Sequence, residues 1–122
     1  MQVLDMSVLC EACGGDTAFQ RELLLRYRGY LGADLRLIAE AIGTPDPGEA
    51  RRLAHRVKGA ARTLGAQALA QAAERIERIA ADAGAAEWHA RHLELQVERD
   101  RIEERLDALV ASLDDERLRS AS

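Results

Sequence analysis

Apolar positions recur along this chain at steps of three and four, the period of helices that bury one face. Nowhere do they alternate in the manner of a strand. Phe19, Leu23, Tyr27, Tyr30, Leu31, Leu35 and Ile38 form one such face. They predict a helix from an N-cap at Asp16 to about Ile42, stopped by Gly43. Gly32 lies inside it at a propensity cost of about 1 kcal/mol, which packing has to offset. Gly43-Thr44-Pro45-Asp46-Pro47-Gly48 is the clearest loop, and Asp46 followed by Pro47 reads as an N-cap with proline in the first turn. The next helix is predicted to reach Leu64 and stop at Gly65. A further one runs from about Ala66 to Ala83, closed by Gly84. A short lead helix is predicted from Asp5 through Cys13, ended by Gly14 and Gly15.

The last helix is predicted from near Ala85 to about Glu116, with residues 117–122 as a frayed tail. Its pattern is less regular. Ala86, Ala90, Leu93 and Val97 make one stripe, and Ile102, Leu106, Leu109 and Leu113 another. The five-residue step from Val97 to Ile102 predicts a bend or a change of packing partner near Arg99. Four long amphipathic helices with short connections predict an all-α, up-and-down four-helix bundle with a short additional N-terminal helix across one end. One domain over residues 1–122, with a core of about 3–116, is the expected organisation.

Composition narrows the picture. Aromatic residues are only 3% of a chain that is 48% apolar, so the core must be built from Leu, Ile, Val and Ala. A net charge of −4 argues against a general nucleic-acid binder. No apolar stretch approaches the roughly 20 residues of a membrane span, and the first residues lack the pattern of a signal peptide. Cys10 and Cys13 are spaced as a C-x-x-C pair. They lack the βαβ setting of a redox motif and the second ligand pair of a zinc site, and are read as small apolar packing residues. A monomer in a reducing, cytoplasmic setting is expected.

Candidate chemistry sits in Leu53-Ala54-His55-Arg56-Val57-Lys58-Gly59-Ala60-Ala61. On a helical wheel Ala50, Leu53, Ala54, Val57, Ala61 and Leu64 cluster as the core face, and His55 falls about 150° away, toward solvent. Lys58, Gly59 and Arg62 share its exposed stripe at +3, +4 and +7. Glycine in mid-helix costs about 1 kcal/mol relative to alanine, but the missing Cβ clears space one turn from the imidazole. Residues 51–62 hold five of the 17 basic residues and no acid, which leaves 12 basic against 21 acidic residues elsewhere. A histidine in a positive patch on an acidic protein suits an anionic guest or an acidic partner. His89 and His92, three apart on the last helix, are spaced as half a metal site without a second cluster, and no metal or cofactor is expected in the chain.

His55-Arg56-Val57-Lys58-Gly59-Ala60-Ala61, followed by Leu64-Gly65, resembles the H-x-x-K-G-[AS]-[AS]-x-x-[LIM]-G signature of the histidine-phosphotransfer (HPt) domains of bacterial multistep phosphorelays. The layout is similar as well, from about Val3 to Leu113: lead helix, Gly14-Gly15-Asp16 step, long helix, Gly/Pro/Asp loop, histidine helix, then Glu74-Arg75-Ile76-Glu77. It is unlike the phosphoacceptor box of histidine-kinase dimerisation domains, where an acid follows the histidine and a proline comes soon after. Here Arg56 follows, and no proline occurs after Pro47.

The resemblance implies that His55 is the phosphoacceptor, that Lys58 attracts phosphoryl oxygens, and that Gly59 keeps the docking surface open. It aligns Glu77 with a position where the family often has a Gln or Glu that orients the imidazole. Arg62 lies outside the signature and enters through the helical stripe alone. The implied partners are response-regulator receiver domains, which would supply the aspartate and Mg²⁺, and a parent hybrid sensor kinase, whose C-terminal modules begin in the manner of Val3-Leu4-Asp5. No Walker-type phosphate loop is present, so the expected domain carries phosphate without generating it. Two alternatives stand beside this reading: the phosphoacceptor domain of a chemotaxis-type kinase, which uses a similar helix, and an inert helical adaptor.

Overall fold

The computed structural model describes residues 4, 11, 14–43, 46–80 and 82–121. Four helices account for nearly all of them: α1 (Thr17–Gly43), α2 (Pro47–Thr63), α3 (Gln67–Glu77) and α4 (Ala85–Ala121). Among the described residues there is no strand. The lead helix expected over residues 5–13 and both cysteines lie outside the described residues, except that Glu11 is helical. Leu4 is buried in the core.

Local chemistry sets the helix ends. Asp16 Oδ1 accepts the Phe19 N–H at 3.1 Å, satisfying a donor that the start of α1 leaves open. Asp46 Oδ1 does the same for the Glu49 N–H at 3.1 Å, with Pro47 in the first turn of α2. At the other end of α2 the chain turns through Gly65 at φ 71°, while the Ala66 N–H donates to the Ala61 carbonyl at 2.8 Å. Only glycine adopts that conformation without strain, so the stop is written into the sequence.

α1 packs on α2, α2 on α3, α3 on α4, and α4 back on α1. Successive helices that touch side by side through short connections must run antiparallel, and the closed ring is a four-helix bundle. Leu24, Ile38, Leu53, Val57, Leu64, Leu69, Ile76, Leu95, Ile102 and Leu106 are almost wholly inaccessible and fill its axis.

Four details differ from the sequence expectation. α3 ends at Glu77, not near Ala83. Ile79 turns into the core, and the Arg51 guanidinium on α2 takes its carbonyl at 2.6 Å. Those contacts hold the segment off the helical path that its alanines would otherwise favour. On α1, Phe19 and Tyr30 are exposed, and Gln20 and Asp34 are buried in their stead. On α4, the predicted stripe of Ala86, Ala90, Leu93 and Val97 faces solvent. Leu95, Ile102, Leu106 and Val110 form one seam at steps of seven, four and four, so no change of partner is needed near Arg99. Last, the helix continues past Glu116 to Ala121.

Packing does not explain Gly32: a Cβ built there meets nothing within 4 Å. Gly32→Ala is therefore expected to stabilise the domain by about 0.5–1 kcal/mol, read as a higher midpoint in urea unfolding. No helix among the described residues is long and apolar enough to cross a membrane.

Candidate functional site

Burying Leu53, Ala54, Val57 and Ala61 against α1 and α3 leaves the opposite stripe of α2 in water. His55 stands on it with its side chain 71% exposed. Its ring is nevertheless held in place. Glu77, the last residue of α3, brings Oε2 to 3.0 Å from His55 Nδ1. Its other oxygen, Oε1, is closed off from solvent, and the Lys58 Nζ ammonium stands 2.7 Å from it as an ion pair, off the line of a regular hydrogen bond. The Lys58 side chain is only 14% exposed. A residue expected at the surface is thus laid across the α2–α3 groove.

The charge state of Glu77 follows. Partial burial pushes its carboxyl up, but the Lys58 ammonium and the His55 ring outweigh that and hold it below the ordinary value of 4.5. An ionised carboxylate can only accept. It therefore selects the tautomer with the proton on Nδ1 and leaves the Nε2 lone pair on the outward side of the ring.

The flank toward α1 carries a second tie. Arg56 reaches across to Asp34, with Nη2 2.8 Å from Oδ1, and Asp34 is only 7% exposed. Sequence reading missed Asp34. The available signal was an acid inside the apolar run Leu31, Leu35, Ile38, with an arginine on the neighbouring helix. Beyond this pair lies an apolar edge. Arg21 and Arg28 of α1 pair with Asp114 and Asp107 of α4, which marks the α4 side of the helix. Tyr30 and Leu37 lie on the other flank, toward α2, and both are exposed, as is Phe19 near the start of α1.

His55, Lys58 and Glu77 are thus brought together. Gly59 sits one turn along, exposed, with nothing within 4 Å of a built Cβ. Close packing inside the chain therefore does not account for this glycine. Arg62 is exposed two turns along, roughly 10 Å away on the helix axis, and is not drawn into the cluster. Among the described residues no group of three or more His, Cys, Asp or Glu could hold a metal ion.

The site is an accessible imidazole at mid-helix of a four-helix bundle, its inner nitrogen held by a carboxylate from the adjoining helix and its outer nitrogen facing solvent. The family model described as the Hpt domain matches residues 22–118, and the chain belongs to that family. No curated protein and no solved structure gives a significant match. Membership gives the domain a role as a histidine phosphotransfer carrier in phosphorelays, where Hpt domains interact with receiver domains.

Proposed function

We propose that His55 accepts a phosphoryl group on Nε2 from the phosphoaspartate of one receiver domain and passes it to the aspartate of another. The observation that carries this reading is the 3.0 Å contact between Nδ1 and Glu77 on an otherwise exposed ring. In the forward step the Nε2 lone pair attacks phosphorus in line. The N–P bond forms as the bond from phosphorus to the aspartyl oxygen breaks, and the aspartate leaves as a carboxylate. Nδ1 keeps its proton, and Glu77 offsets the positive charge that develops on the ring. Lys58 keeps Glu77 ionised and places positive charge near the incoming phosphoryl oxygens. The receiver would supply Mg²⁺.

Docking follows from the same surface. Arg62 offers positive charge to an acidic receiver site, and Tyr30 and Leu37 offer apolar area beside it. Gly59 leaves the approach to the imidazole open. Gly59→Ala should stabilise the isolated domain by up to about 1 kcal/mol. Gly59→Gln should slow transfer by about tenfold or more, because a long side chain beside His55 obstructs docking. Stopped-flow transfer and urea unfolding read the two effects separately, and an unchanged transfer rate in Gly59→Gln would remove the access argument.

The direct test is incubation with a receiver carrying labelled phosphate. Label should move to this chain as an adduct stable in alkali and lost in acid, as a phosphoramidate is. An adduct with the opposite behaviour would contradict the proposal.

A further inference from the structure

At the end of the bundle where α1 stops and α2 and α4 begin, a cleft of about 700 Å³ opens between the helices. It belongs to a different surface from the His55 stripe: α2 contributes Pro47 and Ala50 to its wall, from the core side of the helix. Interiors of small domains ordinarily close-pack with few voids larger than a water molecule, whereas small-ligand pockets occupy about 300–1,000 Å³. Ile42, Ala50 and Ala83 form apolar wall, and the alanines leave the space that larger aliphatics would fill. Trp88, the single tryptophan of the chain, lines the cleft half-buried.

Two imidazoles complete the lining. His89 and His92, one turn apart on α4, both border the cleft, and neither hydrogen-bonds to a described residue. One acid, Asp46, also borders the cleft. The Asp46 carboxylate caps α2 through the Glu49 N–H, and the Asp46 N–H takes the Ala41 carbonyl at 2.9 Å. The first turns of α2 and α4 bring the partially positive ends of two helices to the wall. Burial holds the His92 imidazole below its ordinary value, with the nearby His89 and Arg99 acting in the same direction.

We propose that this cleft is a binding site for a small planar aromatic carboxylate, its rings against Trp88 and the alanine wall and its anionic group on the ring nitrogens of His89 and His92. The rings bury apolar surface, and the two imidazoles, which make no hydrogen bond to a described residue, supply the donors that fix orientation. The site is independent of phosphoryl transfer and does not rest on that reading.

The probe is 2-naphthoate, with neutral 2-naphthamide as its isostere, titrated into the intact chain and followed by amide NMR and Trp88 fluorescence. Saturable binding is expected, with shifts confined to the ends of α1, α2 and α4 that border the cleft. A charged hydrogen bond is worth about 1.5–3 kcal/mol, so the amide should bind about tenfold more weakly. The doubly substituted His89→Ala, His92→Ala chain, which removes both donors, should lose the same factor for 2-naphthoate and little for the amide. Ala83→Leu, which fills the cleft from the connecting segment, should abolish binding of both. Absence of saturation at millimolar probe overturns the site. Shifts centred on Phe19, Tyr30 and Leu37 also overturn it. Equal affinity for acid and amide overturns the anion assignment.

Discussion

Replacing His55 by glutamine should abolish phosphoryl acceptance and leave the fold unchanged. The ring is 71% exposed, so its loss removes little buried area, and exposed substitutions ordinarily shift stability by no more than about 0.5 kcal/mol. Glutamine keeps a polar group within reach of Glu77 but has no nucleophilic nitrogen. His89→Gln and His92→Gln should leave acceptance intact: those imidazoles lie at the end of the bundle, without the Glu77 and Lys58 contacts that fix the His55 ring. Phosphate from a loaded receiver, followed on gels under alkaline conditions, separates these outcomes. Label retained by the His55→Gln chain would assign the chemistry elsewhere.

The second large effect is expected at Glu77. Glu77→Ala removes the acceptor for Nδ1–H and the counter-charge for the ring at once. Outer-shell partners of metal-ligating histidines are typically worth about 10–100-fold, and a loss of transfer rate of similar size is expected from this analogous hydrogen bond. Glu77→Gln should recover part of it, because the amide oxygen still accepts from Nδ1, whereas a merely structural role would make the two variants alike in rate. Stability should fall as well. The Lys58 side chain is only 14% exposed, and stripping its partner leaves a largely covered ammonium unpaired, a cost of about 1–2 kcal/mol between the surface and buried limits. Lys58→Ala should be destabilising to a similar degree for the mirror-image reason, contrary to what a surface lysine would predict.

The same pair gives a pH dependence of known sign. Folding holds the Glu77 carboxyl below its ordinary value of 4.5. Its contribution is therefore complete above that value and is lost as pH falls through the lower folded one. Acid unfolding of Glu77→Ala should accordingly lack that part of the slope.

Much of this was legible along the chain because the controlling signals are local. The caps at Asp16 and Asp46 and the stop at Gly65 lie next to the turns they direct, and the core face of α2 has a clean period. Over the first half of α4 the sequence pattern points to the wrong register, because Leu93 and Val97 are as apolar as the true seam residue, Leu95. The adjoining seam positions, His92 and Arg99, are polar and hide the stripe. Tertiary contacts decided what local pattern could not. Arg51 on the Ile79 carbonyl ends α3 early, and Arg56 admits the Asp34 carboxylate to an apolar face. The pairing of Glu77 with His55 came from family resemblance alone, since no periodicity links a residue on α3 to one on α2.

The central claim is that Glu77 holds Nδ1 of His55 and leaves Nε2 to carry the phosphate. Uniformly ¹⁵N-labelled protein, phosphorylated by a loaded receiver and observed by ¹⁵N and ³¹P NMR, tests it most directly. The account predicts a single phosphorus signal coupled to Nε2 of His55, with Nδ1 still protonated. Phosphorus on Nδ1, or on any residue other than His55, would contradict it.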